Sequence, residues 1–149
     1  MRHLALFLPL IALAACQQAA PEAASVDHAW VRLPAVADRP GAAYFTLHGG
    51  AVDDRLMAVS SPQAIKAEMH SMSMDGGMMK MAPIEGGLAV PAKGEIAFSS
   101  GGNHVMVYDI SPKVTPGGKM VLTFSMASGE KLEAQADVVA AGGEEPDTN

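Results

Sequence analysis

The chain has 149 residues, 49% of them hydrophobic, a formal net charge of −6 and a single cysteine. That is enough chain for one domain with a core of its own and too little for two comfortable ones. The acidic balance and the absence of a basic patch exclude a nucleic-acid-binding surface on electrostatic grounds.

Residues 1–15 read as a targeting segment. Arg2 and His3 are followed by an apolar run over 4–15, too short to span a bilayer as a mature helix. The run ends Leu13-Ala14-Ala15-Cys16, which resembles the bacterial lipoprotein cleavage box and implies Cys16 as the lipidated first residue of an exported, membrane-anchored protein. With no second cysteine the exported domain can form no internal disulfide, and a metal site in it cannot use thiolates. Residues 16–25 are small and polar and read as a tether.

From residue 26 the chain breaks into short β-type segments separated by Gly, Pro, Ser and Asp. Candidate strands cover 26–33, 42–48, 55–60, 65–71, 78–84, 94–99, 103–110, 119–126 and 130–139. No helical period is sustained over three turns beyond residue 15. About nine short strands at regular spacing predict an all-β fold, a single β-sandwich of cupredoxin-like or immunoglobulin-like shape over 26–140. Asp75-Gly76-Gly77 predicts a turn that returns the chain toward Met79. Glu85-Gly86-Gly87 predicts a hairpin connection to the next strand, and Gly101-Gly102 a bend just before His104. Residues 141–149, with Glu144, Glu145 and Asp147, read as a disordered acidic tail.

Two stretches carry the chemistry. Residues 69–81, MHSMSMDGGMMKM, hold six methionines and one histidine, and His104-Val105-Met106 repeats the same two side-chain types. Neutral imidazole and thioether suit a soft monovalent ion, and thioethers select copper(I) over hard divalent ions. Side chains alternate along a strand, so His104 and Met106 share a face, with Val105, Val107 and Asp109 opposite, and Met79 and Met81 share another. The predicted site gathers His70, the methionine segment and the His104–Met106 pair at one rim of the sandwich. Met72 and Met74 fall in a predicted exposed loop and, with Met79, are candidate outer capture ligands. Met57, Met69, Met120 and Met126 are assigned to packing, and His28 and His48 to the surface or to local hydrogen bonds.

Other chemistries fit less well. A blue-copper electron carrier needs a cysteine thiolate beside two histidines, and zinc prefers Cys, His and carboxylate ligands. No nucleophile arrangement marks an enzyme. A structural or adhesive lipoprotein, or a protein that only buffers copper, is the alternative.

The order His70, ten residues, Met81, twenty-two residues, His104, one residue, Met106 closely resembles the periplasmic copper chaperones of the PCu(A)C type, whose second interval is twenty-one residues. The stretches AAYFTL (42–47), DDRLMAVSSP (53–62), AEMHSM (67–72), GGMMKMAPI (76–84), VPAKGEIAF (90–98), GGNHVMVYDI (101–110) and PGGKMVLTF (116–124) extend the likeness over most of the domain. The Glu85-Gly86-Gly87 turn is where the additional residue is expected to be absorbed. The resemblance implies copper(I) held by His70, Met81, His104 and Met106, and a carrier rather than an enzyme. It further implies delivery in the bacterial periplasm to the dinuclear copper centre of cytochrome c oxidase, alongside a Sco-type thiol protein.

Overall fold

A computed structural model describes residues 22–147. Cys16, the targeting segment and most of the tether lie outside the described residues. Ten strands and no helix are present among the described residues: β1 (Ser25–Arg32), β2 (Gly41–His48), β3 (Asp54–Ser60), β4 (Ala64–Asp75), β5 (Met78–Pro83), β6 (Leu88–Val90), β7 (Glu95–Phe98), β8 (His104–Ile110), β9 (Lys119–Met126) and β10 (Lys131–Val139). The all-β expectation holds, with one strand more than expected. β6 is only three residues long, too short to show a period of two.

Strand alternation builds the core. In β9, Met120, Leu122, Phe124 and Met126 point inward while the residues between them do not. β8 buries Val105 and Val107, and β4 buries Met69. The hydrogen-bonded order is β5-β4-β8-β2-β1-β10-β9-β3-β6, with β7 on the same edge of β2 as β8. β1 pairs with β10 in parallel. The remaining pairings are antiparallel. This path folds over on itself into two layers. Phe45 of β2 and Phe124 of β9 are separated by two strands along the path, yet their rings meet edge to face at 4.6 Å. Phe98, directly opposite Phe45 in the β2–β7 ladder, stacks on it at 4.3 Å.

Three local expectations are corrected. Glu85-Gly86-Gly87 is not a hairpin: β5 pairs with β4 and β6 with β3, at opposite ends of the strand order. Gly87 is required there by close approach, since a Cβ would lie 2.5 Å from the Leu56 carbonyl oxygen. Met57 is 44% exposed rather than packed. The register of β3 on β9 shifts between Leu56 and Ala58, so Met57 is the additional residue of a bulge and turns outward. Asp109 is exposed and leaves the inward set with a φ of 51°, a left-handed conformation that aspartate tolerates. The acidic segment over 141–147 turns back on the domain, where Arg32 Nε donates to the Gly143 carbonyl at 2.8 Å and Glu145 lies 4.0 Å from His28 Nδ1. Met120 and Met126 are buried as expected. His48 is satisfied locally, its Nε2 lying 2.9 Å from the Asp27 carboxylate.

Candidate metal centre

The site grows out of one cross-strand pairing. β4 lies between β5 and β8, and residues directly opposite in an antiparallel ladder share a face. His70 is opposite His104, Glu68 opposite Met106, and Lys66 opposite Tyr108. On the other edge of β4, Met72 is opposite Met81 and Met74 opposite Met79. All ten side chains therefore project from one face of this three-strand patch, with Met69, Val105 and Val107 on the reverse face in the core. The interval over 82–103, one residue longer than the family pattern, does not turn the second pair away.

The methionine segment is more regular than expected. β4 does not stop near residue 71 but runs to Asp75, so Met72 and Met74 are strand residues and not loop residues. The cause is the two-residue turn Gly76-Gly77, with φ of 58° and 81°. Positive φ at both central positions gives the twist that a tight hairpin needs. The turn locks Asp75 opposite Met78 and thereby fixes every thioether above it.

The two imidazoles are held close together and nearly parallel, with centroids 5.9 Å apart and planes 25° from each other. His104 is 8% exposed. Its Nδ1 lies 3.0 Å from the Gly102 carbonyl oxygen. A carbonyl oxygen only accepts, so this bond assigns the proton to Nδ1 and leaves a lone pair on Nε2. That lone pair faces Met81 Sδ at 3.3 Å, which brings two electron-pair donors against each other. The His70 side chain is 12% exposed. Among the described residues neither of its ring nitrogens has a hydrogen-bond partner. Glu68 Oε2, at 3.8 Å from His70 Nε2, is beyond hydrogen-bonding range. Unpartnered buried polar atoms are uncommon and ask for a ligand. Met106 is half-buried beside them, and Met81 is exposed.

Alternation by two from the histidines, followed further, also reaches Glu68 and Tyr108, which the sequence reading passed over. The Lys66 ammonium bonds Glu68 at 2.7 Å and sits 5.1 Å from the centre of the Tyr108 ring. Lys66 holds the Glu68 carboxyl below its ordinary range, helped by a hydrogen bond with Tyr108. Burial, then the Glu68 hydrogen bond, raises the Tyr108 phenol. The carboxylate nearest the histidines is thus already paired with a cation. Among the described residues no three His, Cys, Asp or Glu side chains form a metal-holding group. The donor set at this face is two imidazoles plus thioethers, which is a set for a soft ion.

The LpqE-like family, described as one of lipoproteins, matches residues 24–138. The chain belongs to the LpqE-like family. Among solved structures this LpqE-like chain is similar to the copper-bound PCuAC domain from PmoF2, at 20% identity and a TM-score of 0.64, covering 82% of this chain and 97% of that one. It is likewise similar to the apo PCuAC domain from PmoF1, at 22% identity and a TM-score of 0.65, covering 82% and 98%. The copper(I) form of DR1885 from Deinococcus radiodurans matches at 25% identity and a TM-score of 0.55, covering 85% and 83%. Its fold is that of the PCuAC domains. A search of the curated proteins returned no match.

Proposed function

We propose that this LpqE-like protein is a copper(I) carrier that holds its cargo with His70, Met81, His104 and Met106. The observation that carries the proposal is the arrangement of unsatisfied groups: a His70 ring with no hydrogen-bond partner among the described residues, and His104 Nε2 facing Met81 Sδ at 3.3 Å. An ion between those two atoms relieves the opposition of lone pairs. The copper bound by the similar PmoF2 domain and by DR1885 supports the same cargo here.

Transfer follows from the ligand chemistry. All four donors are neutral, so the bound ion keeps its positive charge. Met81 is an exposed ligand on the edge strand β5 and is the one an incoming acceptor reaches first. Acceptor donors enter as the Met81 thioether leaves, while the His104 ring stays oriented by Gly102. No electron moves and no bond of the protein is broken, so the protein acts as a carrier and not an enzyme. The acceptor is the dinuclear copper centre of cytochrome c oxidase, reached alongside a Sco-type thiol protein. The setting is the bacterial periplasm, with residues 1–15 removed as a signal peptide and a lipid anchor at Cys16.

Anaerobic competition between the protein and a chromophoric copper(I) chelator tests the site. One tightly held equivalent is expected, with its affinity lowered at least about tenfold by Met81→Leu or Met106→Leu, since even outer partners of a metal ligand are worth that much. Retention of full affinity in both variants contradicts the ligand set.

A further inference from the structure

We propose a second, weaker copper(I) site on the outer half of the β4–β5 hairpin, made by the thioethers of Met72, Met74 and Met79. It rests on the reading of the inner site only for the identity of the ion. Met74 is 65% exposed and Met79 52% exposed, so neither is explained by packing. They stand directly opposite each other, and Met72 lies two residues along β4 from Met74 on the same face. Opposed residues have Cβ atoms about 4.5–5.5 Å apart, and same-face neighbours along a strand are about 6.6 Å apart. Methionine has three rotatable side-chain bonds, so three sulfurs anchored at these spacings can reach a common point above the sheet.

Charge is sorted to favour a cation there. Lys80 pairs with Asp75, and both project from the reverse face of the hairpin together with Ser73 and Met78. The thioether face of this half of the hairpin carries no ammonium to repel the ion. A slip of one residue would exchange the two faces, and the Gly76-Gly77 turn prevents it. Three thioethers with no imidazole make the site weaker than the inner one. The ladder continues inward, because Met72 is opposite Met81.

Met78 supplies an internal control, being a methionine of the same hairpin, 68% exposed, on the wrong face. Metal-free protein with its methionine methyls labelled with carbon-13 is titrated anaerobically with copper(I) and followed by chelator competition and methyl NMR. The wild type is expected to take a second equivalent that shifts the methyls of Met72, Met74 and Met79. The M74L/M79L variant, a shape-conserving change at exposed positions, loses that equivalent and keeps the first. M78L keeps both. A wild type that stops at one equivalent, a double variant that keeps both, or equal loss in M78L overturns the proposal. The H70A/H104A variant separates the two readings: one equivalent that is sensitive to M74L/M79L sustains the hairpin site alone, and none at all refutes it.

Discussion

Replacing His70 by leucine is expected to make the metal-free protein more stable while removing its tight copper(I) site. The wild-type imidazole is almost wholly enclosed, and neither nitrogen has a hydrogen-bond partner among the described residues. An unsatisfied buried polar group costs about 1–3 kcal/mol, and an apolar side chain of similar size avoids that cost. Urea unfolding of the apoprotein should show a gain of about 1–3 kcal/mol. Copper(I) affinity should fall at least about a hundredfold, because loss of a ligand exceeds the effect of losing an outer partner. The two signs together separate a binding residue from a structural one. A less stable variant would show that the ring contributes to packing, and one with unchanged affinity would show that it is not a ligand.

The largest stability effect is expected in the core and not at the metal face. Phe124 is fully buried and meets Phe45 across the two layers at 4.6 Å. Phe124→Ala should cost about 3–5 kcal/mol, through lost transfer energy and the cavity left behind. Ile65→Ala, at a position 82% exposed, should stay within about 0.5 kcal/mol. The folded fraction of Phe124→Ala should bind copper(I) as the wild type does, since Phe124 belongs to β9 and the site to β4, β5 and β8. A cost below about 1 kcal/mol, the ordinary mutational level, would argue against the close contact between the layers.

What the sequence made legible was whatever repeats at short range. β-type composition between Gly, Pro, Ser and Asp breaks located nine strands, and the alternation of side chains along a strand put His104 and Met106 on one face. Turn chemistry at Asp75-Gly76-Gly77 correctly returned the chain to Met79. The strand leading into that turn was cut short because Ser71, Ser73 and Asp75 suggested an exposed loop, although they alternate strictly with Met72 and Met74. A hairpin that stands out from the core gives such alternation no buried side. Bulges are equally silent: the displacement that turns Met57 outward is set by the partner strand β9, not by its neighbours in sequence. The parallel β1–β10 pair and the placement of β6 beside β3 join distant segments, and no local signal encodes them. Glu68 and Tyr108 were legible in principle, two residues on from each ligand pair. Neither side chain is a ligand type for a soft ion, so ligand chemistry alone does not single them out.

The proposed site gathers His70, Met81, His104 and Met106 around one copper(I) ion. The most direct measurement is NMR of protein carrying labelled histidine rings and methionine methyls, recorded at one equivalent of copper(I) under anaerobic conditions. The ring signals of His70 and His104 and the methyls of Met81 and Met106 are expected to move together and saturate at that equivalent, while His28, His48 and Met120 stay still. Movement of His28 or His48 instead, with the four named residues unmoved, would contradict it.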